Sequence, residues 1–380
     1  MDDLTFYIVT YNVATKSPDQ PLSDFLQWDG RTKQQLPDFC LFGFQEIKAQ
    51  PQNLLLDSVF DDPWTAALRD VLSNYDYVKI RTVKMVGLLL NVFCKRKHIP
   101  LLKEMEISET PTGLLGLWGN KGAVSFSFKI ADITICCVNC HFAAHEEYLK
   151  RRISDYHTII ESQYFGSSRK SILNHERRPA WTDRILYKTI DSSHEKSELE
   201  VLSYNYINTI KLSDHRPVYG ESSIQINSNK NVDLVEQPVI FQSIEAWQLE
   251  TENEVNLRIK DYNPGVNDWI GVFNENFTSL EDYLSYVYLP SETVELEESN
   301  DGYRQFDNMT SACRVKFLPE VFSDGSKSVC LKFSETSILN SGTYRLIYFS
   351  TTNNSVLGVS NPFVAIKQKC SLNTSYEFGW

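Results

Sequence analysis

The sequence has no run of about 18 or more consecutive apolar residues, the length that a membrane-spanning helix requires. Its first residues, Met1 to Thr5, lack the basic stretch and the apolar core of a secretory signal peptide. Eight cysteines in 380 residues, without such a signal, do not indicate a disulfide framework. We therefore expect a cytoplasmic protein.

Positive charge is scarce overall, since 37 Lys and Arg residues face 49 Asp and Glu residues, a formal net charge of -12. This balance argues against nonspecific binding of nucleic acid by the whole surface. One region is locally basic and either suits a substrate with several phosphates or is a solvated face with scattered cations. Its members are Lys150, Arg151, Arg152, Arg169, Lys170, Arg177, Arg178, Arg184 and Lys188.

The length and the changing pattern along the chain predict two domains. Residues 1–226 alternate strand-like and helical stretches, which predicts an α/β domain. Residues 227–238 are polar, lack periodicity and end in proline, so we interpret them as a linker. Residues 239–368 consist of short runs rich in aromatic and β-branched residues between turns, the pattern of an all-β sandwich, and 369–380 form a tail.

Within the first domain, six apolar runs are predicted strands and two stretches are predicted helices. The helices are Leu54 to Leu72 and about His145 to Tyr164, the second with Leu149, Ile153, Tyr156 and Ile160 as its apolar stripe. The run Val86 to Phe93, followed by three cations, is either a buried strand or a surface that rests against lipid. The predicted strands are Phe6–Tyr11, Phe39–Phe44, Tyr77–Val83, Gly87–Cys94, Ala123–Lys129 and Ile133–Cys140.

Polar side chains follow three of these runs: Asn12, Glu46 and His141. In α/β sheets, the loops after strand ends are where separate segments converge on a ligand. Glu46 is the natural ligand for Mg²⁺, which prefers carboxylate oxygen and keeps waters and substrate phosphates as its other partners. Taken alone, Gln45-Glu46 is more often a surface pair.

Two short blocks further along the chain carry more ionisable groups, Pro179 to Arg184 and Ser213 to Pro217. A carboxylate can hold a histidine cationic and in one tautomer, and we expect Asp183 to do this for His215. A cationic His215 neutralises charge on a transferring phosphoryl group, while Asp214 and Asn12 orient metal or water. The alternative is that Ser213-Asp214 only caps an element.

The turn Gly119 to Gly122 lets the backbone approach a ligand closely, and Lys121 offers a point charge to phosphate. His141 and His145 are four residues apart, as in a helical metal pair. Because His141 closes a strand, we favour phosphate contact for His141 and a helix-start role for His145.

The joint order of these blocks resembles the inositol polyphosphate 5-phosphatases, which have the endonuclease/exonuclease/phosphatase fold. The resemblance covers about residues 5 to 226, and its specific blocks are PAWTDRIL and SDHRPV. The region after the linker resembles the immunoglobulin-like SKICH module. The blocks are YNV at 11–13, FQE at 44–46, WGNKGAV at 118–124, VNCHFAAH at 138–145, RRPAWTDRIL at 177–186 and SDHRPV at 213–218, then DWIGVF at 268–273, YRLIYFS at 344–350 and GVSNPF at 358–363.

The resemblance implies Mg²⁺-dependent removal of the 5-phosphate from phosphatidylinositol 4,5-bisphosphate or 3,4,5-trisphosphate, or from an inositol polyphosphate. It implies Glu46 as the metal ligand and Asn12 and Asp214 as its companions. His215 and Asp183 become the charged pair at the scissile phosphate. The implied phosphate contacts are His141, Lys121 and Arg184.

Cys140 and Phe142 stand where the family usually has serine and leucine, but neither bears the proposed chemistry. The serious departure is the absence of the GDLNYR-type block, which places an aspartate at the attacking water and an asparagine at phosphate. Only residues 165–178 lie between the second predicted helix and Pro179, so the first domain is shortened. Asn174 to Arg177 is the available substitute. The alternative function is therefore a catalytically impaired isoform or pseudoenzyme that binds partners and localises through its SKICH domain.

For the localisation of an active enzyme, we expect peripheral association with the endoplasmic reticulum or plasma membrane, where phosphoinositides lie. A protein partner of the SKICH domain is also expected. A nuclease on the same fold is disfavoured because PAWTDRIL is particular to the inositol phosphatases and the chain is acidic.

Overall fold

The computed structural model describes residues 3–19, 22–48, 61–113, 118–131, 133–163, 165, 183–189, 199–226, 237–265, 267–289, 313–322 and 324–367. The chain divides into two compact units, Met1–Glu236 with Thr278–Glu281 and Gln237–Phe277 with Asp282–Trp380. Residues 227–236 of the predicted linker lie outside the described part. Among the described helices, none has the length and apolar character to cross a membrane.

The described strands of the first unit form two sheets. The larger sheet has the order β3-β4-β2-β1-β9-β8 and the smaller one the order β5-β6-β7. The first strand pairs in parallel with the second and antiparallel with the ninth. In chain order the strands are β1 (Asp3–Asn12), β2 (Phe39–Gln45), β3 (Tyr77–Met85), β4 (Leu88–Lys95), β5 (Leu102–Gly113), β6 (Trp118–Ile130), β7 (Ile133–His141), β8 (Leu199–Tyr206) and β9 (Val218–Gln225).

Alternation along β1 divides the apolar side chains between two cores. Tyr7, Val9 and Tyr11 are buried in a cluster that also contains residues of the first helix. Phe6 points the other way and stacks on Phe39, whose ring centroid lies 5.1 Å from that of Phe128 in the smaller sheet. The two sheets therefore pack face to face, and the α/β sandwich expected from the sequence is confirmed.

The first helix, α1, spans Pro63–Ser73 and packs on β3. It begins where it does because the Asp62 carboxylate accepts a hydrogen bond from the Trp64 N–H, 2.9 Å, and proline suits the first helical position. The predicted start at Leu54 lies outside the described residues, but a helix continuous from there is wrong, since Asp61 and Asp62 are not helical.

The second helix, α2, spans Leu149–Ser162 and packs on β5 and β6. The predicted apolar stripe is wrong for Leu149, which is 43% exposed, and for Ile153, which is 36% exposed, whereas Ile160 is buried as predicted. Beside Ile160, the buried face carries Asp155 and Ile159. The buried face differs from the predicted stripe because the helix buries the Asp155 carboxylate.

The interpretation of Val86 to Phe93 as a lipid-contacting surface is also wrong. The run forms β4 between β2 and β3, and Leu88, Val92 and Phe93 are fully buried. A strand covered on both faces reads as a continuous apolar run, which explains the pattern.

The described part of the second unit is all-β, as predicted. Among the described residues, one sheet has the order β10-β12-β16-β15, and the other has the order β11-β19-β17-β13-β14 with β18 paired to β17. Trp247 lies in the core between them and stacks on Phe363. The strands are β10 (Val239–Phe241), β11 (Ala246–Gln248), β12 (Asn253–Ile259), β13 (Trp269–Asn274), β14 (Tyr283–Tyr288), β15 (Cys313–Val321), β16 (Lys327–Phe333), β17 (Gly342–Ser350), β18 (Ser355–Val359) and β19 (Phe363–Ile366).

A buried carboxylate organises one end of this unit. Asp268 is fully buried and accepts hydrogen bonds from the hydroxyls of Tyr262 and Tyr348, 2.5 and 3.0 Å, and from the N–H groups of Gly265 and Thr351, both 3.0 Å. Removing the acceptor leaves the buried Tyr348 hydroxyl without this bond, at a cost of about 1–3 kcal/mol, and breaks three further hydrogen bonds that are partly buried.

We expect Asp268→Ala to destabilise the second unit by at least about 3 kcal/mol. Amide hydrogen exchange of β13 and β17 in the full chain measures this effect strand by strand. The exposed Glu335→Ala is the control and should leave exchange unchanged. Equal protection in both variants would contradict the role given to Asp268.

Candidate active site

The topology brings three loops to one edge of the larger sheet. Because β1 and β2 are parallel, their carboxyl ends meet there, with Asn12 opposite Gln45. Because β9 is antiparallel to β1, its amino end lies at the same edge, with Val218 opposite Thr10. The block Ser213 to Pro217 leads directly into β9. The sequence-predicted residues on these three segments are therefore neighbours.

Glu46 leaves β2 through a backbone bend, since its φ of 55° lies in the left-handed region. Its carbonyl accepts a hydrogen bond from the Thr15 N–H, 2.7 Å, and the Asn12 side-chain oxygen accepts one from the Ala14 N–H, 3.0 Å. The first bond joins the two strand ends, and the second fixes the turn after β1. The Glu46 side chain is 42% exposed although Gln45 beside it is buried, so its carboxylate is available to a ligand.

The predicted pair of His215 and Asp183 is present. The Nδ1 of His215 lies 2.6 Å from an oxygen of Asp183, so Nδ1–H donates to the carboxylate and Nε2 is left for a substrate. The Ser213 hydroxyl accepts from the His215 N–H and donates to Asp214, both 3.1 Å. Asp183 is the first described residue after a gap, so Pro179 to Thr182 of the same block lie outside the described part.

Asp214 lies close to the end of β1. Burial is the main cause of a raised pKa of Tyr11, and the negative charge of Asp214 adds to it. The hydroxyl of Tyr11 is buried and lies at Ser213, whose backbone and hydroxyl oppose the rise in the pKa. The Ser213 to His215 segment is thus packed over the strand that ends at Asn12.

Lys121 and His141 meet because β6 and β7 are antiparallel, with Gly122 opposite His141. The Nδ1–H of His141 donates to the Asn120 carbonyl, 3.1 Å, and Nε2 accepts from the Lys121 ammonium, 2.6 Å. The same Nε2 lies 3.5 Å from the Glu46 carboxylate. The arrangement places a cation and a neutral imidazole beside the candidate metal ligand.

Burial lowers the pKa of His141 to about 4, and the charge of Lys121 adds to this while Glu46 opposes it. His215 contributes in the same direction, which links the two histidine pairs electrostatically. Burial also lowers the pKa of Lys121, whereas Glu46 and Asp155 raise it.

We expect His141 to titrate at a pKa of about 4 instead of its ordinary 6.5. Its stabilising contribution is then complete above pH 6.5 and is lost as the pH falls toward 4, because the unfolded chain binds the proton first. Two-dimensional NMR of the imidazole nitrogens measures this pKa. Lys121→Met should raise it, and an unchanged pKa in that variant would contradict the contact.

Arg184 is not brought into the same contacts. Its side chain is exposed and has no hydrogen bond or ion pair within the described residues, so its phosphate contact stays a prediction. His145 directly precedes the 3₁₀ turn that leads into α2. The substitute segment Asn174 to Arg177 lies outside the described part.

Sequence reasoning missed Asn139, which supports the site from the smaller sheet. Its buried amide donates to the carbonyls of Phe44 and Leu89, 2.9 and 3.0 Å, and accepts from Gln45, 2.6 Å. These bonds tie β7 to the end of β2 next to Glu46. An asparagine inside an otherwise apolar strand was the available signal, since a buried amide must find partners.

The donor set fits a hard divalent cation that keeps most of its waters. Glu46 supplies one accessible carboxylate and Asn12 an amide oxygen, and Mg²⁺ is commonly held by one or two carboxylates plus substrate phosphate. In the described part of the chain, no group of three or more His, Cys, Asp or Glu side chains could enclose a metal. The set therefore does not fit a closed structural metal site.

The family model described as Endonuclease/Exonuclease/phosphatase family 2 matches residues 9–177 and 165–221, a span that contains every candidate residue above. The chain belongs to this family. A SKICH domain model matches residues 239–317 of the second unit. This phosphatase family member therefore has an endonuclease/exonuclease/phosphatase domain followed by a SKICH domain, the order expected from the sequence.

Curated relatives of this family member are inositol polyphosphate 5-phosphatases. Inositol polyphosphate 5-phosphatase K of Mus musculus is 25% identical over 465 residues, covering 98% of this chain and 92% of the relative. Phosphatidylinositol 4,5-bisphosphate 5-phosphatase A of Rattus norvegicus is 25% identical over 444 residues, covering 94% of this chain and 41% of the relative. The chain thus spans less than half of the second relative.

A solved structure is also similar, the inositol polyphosphate 5-phosphatase domain of a synaptojanin in complex with inositol (1,4)-bisphosphate and calcium ion. It is 24% identical with a TM-score of 0.48, and the match covers 59% of this chain and 85% of that chain.

Proposed function

We propose that this family member is a Mg²⁺-dependent phosphomonoesterase that removes the 5-phosphate from an inositol polyphosphate headgroup. The proposed substrates are phosphatidylinositol 4,5-bisphosphate and 3,4,5-trisphosphate. The observation that carries the proposal is the His215–Asp183 pair, 2.6 Å apart, together with the contact of Lys121 with His141 beside Glu46. The names of the curated relatives support the same chemistry.

When bound, the metal ion supplies a Lewis acid for a phosphoryl oxygen, and Glu46 with Asn12 would hold it. The remaining work falls to the chain's own side chains. Asp183 accepts the Nδ1–H of His215 and favours the imidazolium, whose Nε2–H then offsets negative charge on the phosphoryl group. Lys121 and His141 bind phosphate oxygens, and Asp214 orients water or the metal.

Hydrolysis of a short-chain phosphatidylinositol 4,5-bisphosphate by the purified full chain in Mg²⁺ tests this function. The rate should exceed the rates of the Glu46→Ala and His215→Ala variants. Wild-type turnover no higher than that of either variant would exclude the proposed activity. Because phosphoinositides lie in bilayers, we further propose a cytoplasmic enzyme that associates with the membrane periphery.

The second candidate is a catalytically impaired protein that acts through its SKICH domain in partner binding and localisation. The supporting observation is the missing GDLNYR-type block. The comparison with phosphatase K extends over 465 residues whereas this chain has 380, consistent with a segment that this chain lacks. If so, residues 239–368 alone should localise in cells like the full chain. A diffuse fragment beside a membrane-associated full chain would contradict this function.

A further inference from the structure

A carboxylate occupies the buried face of α2. Asp155 is 5% exposed and accepts a hydrogen bond from the N–H of Ala143, 3.2 Å. Apolar residues are expected on such a face, because an unpaired buried charge is costly. The helix therefore uses this position for a specific polar contact rather than for packing alone.

Arg152, one turn earlier on the same helix, binds the other side of the same residue. Its Nη1 donates to the carbonyl of Ala143, 3.1 Å, and to the carbonyl of His145. Side chains at positions i and i+3 of a helix share a face, so Asp155 and Arg152 reach the loop together. Both backbone polar groups of Ala143 are thus held from one helix.

The loop that they hold begins at His141. Ala143 is buried, and His145 adopts a φ of 69°, a left-handed conformation that non-glycine residues rarely adopt. Such a backbone persists where its surroundings determine it, and the contacts of Arg152 and Asp155 do so here. A fixed loop limits the orientations open to the imidazole at its start.

Asp155 also acts electrostatically toward the partner of His141. Its negative charge lies near enough to Lys121 to favour the charged ammonium, which donates to His141. The helix therefore acts on both proposed phosphate ligands. It acts on His141 through the loop and on Lys121 through the negative charge of Asp155.

We propose that Arg152 and Asp155 are positioning residues, which form a clamp on Ala143 that fixes the loop 141–145 and so aligns His141 and Lys121 for phosphate. The catalytic consequence rests on the proposed function. The structural consequence does not, because the orientation of the His141 ring is observable without turnover.

Four variants of the full chain test the clamp: Asp155→Ala, Asp155→Asn, Arg152→Ala and the control Glu161→Ala, an exposed residue of the same helix. With the short-chain lipid as substrate, both clamp alanine variants should raise KM about 10-fold or more with a smaller fall in kcat, because a misplaced binding group costs affinity and rate. Asp155→Asn retains an oxygen that accepts the Ala143 N–H, so its KM should stay within about 3-fold of wild type. The control should match wild type.

NMR of the His141 imidazole nitrogens provides the readout that needs no activity. In the wild type and in Asp155→Asn, the ring should show one neutral tautomer with the proton on Nδ1. In the two clamp alanine variants, the signals should broaden or average between tautomers. A role in folding alone predicts unchanged His141 signals in the folded fraction and an unchanged KM.

Wild-type KM and wild-type His141 signals in Arg152→Ala and Asp155→Ala would overturn the clamp. An Asp155→Asn variant as impaired as Asp155→Ala would also overturn it. If Asp155→Ala does not fold, Arg152→Ala and Asp155→Asn decide the question. If the wild-type chain shows no turnover, the proposed function fails while the NMR comparison still judges the clamp.

Discussion

His215→Ala is expected to lower the rate of phosphate release by at least about 10²-fold, the usual loss when a positioned acid, base or charge-stabilising group is removed. The imidazole is held by Asp183 at 2.6 Å and coupled through its charge to His141. Alanine removes the imidazole, which offers both a proton and a positive charge to the phosphoryl group. The measurement is the initial rate with the short-chain lipid at saturating Mg²⁺.

His157→Ala is the matched control, because His157 is an exposed histidine on α2 away from these contacts. The rate of Asp183→Asn should lie between the rates of the control and of His215→Ala. An amide can still accept the Nδ1–H of His215, but it no longer favours the imidazolium. Equal rates in wild type and His215→Ala would show that the pair has no part in the chemistry.

Glu46→Gln is expected to raise the Mg²⁺ concentration for half-maximal activity at least about 10-fold and to lower the maximal rate. Glutamine keeps the shape and the backbone bend but removes the negative charge that a hard cation needs. Glu46 is an accessible carboxylate that directly follows Gln45, the residue opposite Asn12. Rates measured across a Mg²⁺ series give the shift.

The control for this substitution is Glu147→Gln, an exposed glutamate in the turn before α2. Calorimetric titration of Mn²⁺ into both variants separates binding from turnover. If Glu46→Gln binds Mn²⁺ as wild type does, the metal ligand lies elsewhere and the assignment of Glu46 is wrong.

The sequence was sufficient to predict strands β1 and β2 and the candidate site residues at their ends. Both strands are apolar runs with clear boundaries, and parallel strands place their carboxyl ends at one edge. Asp183 and His215 could be paired from the sequence because a carboxylate attracts an imidazole that can carry a positive charge, and each of the two blocks offers one of them. Their pairing across 32 positions follows from topology, which the blocks alone do not encode.

Three described strands of the first unit escaped prediction for physical reasons. β5 lies at the edge of the smaller sheet and carries charges and Pro111, which an edge strand tolerates. β9 buries polar residues, and Glu221 among them is paired with Arg31 at 2.8 Å. The described part of β8 is another edge, with Tyr204 and Tyr206 more than half exposed.

The buried face of α2 was mispredicted for a similar reason. Its sequence offers an apolar stripe, yet the helix buries Asp155 because the loop before it presents a backbone N–H. Hydrophobic periodicity cannot register a carboxylate whose partner lies outside the helix. In both β9 and α2, a buried carboxylate is stabilised by a partner outside its own element. Such partners cannot be inferred from the local sequence pattern.

The pairing of β1 has a consequence for how the protein is made. Its first partner, β2, follows within the next tens of residues, but its second, β9, places Ile224 opposite Leu4. At about 5–20 residues per second, synthesis delivers that partner roughly 10–40 s after β1. During this interval the side of β1 that pairs with β9 is open, while Asn12 and Glu46 already lie at neighbouring strand ends. His215, which directly precedes β9, can reach Asn12 and Glu46 only when β9 has paired with β1.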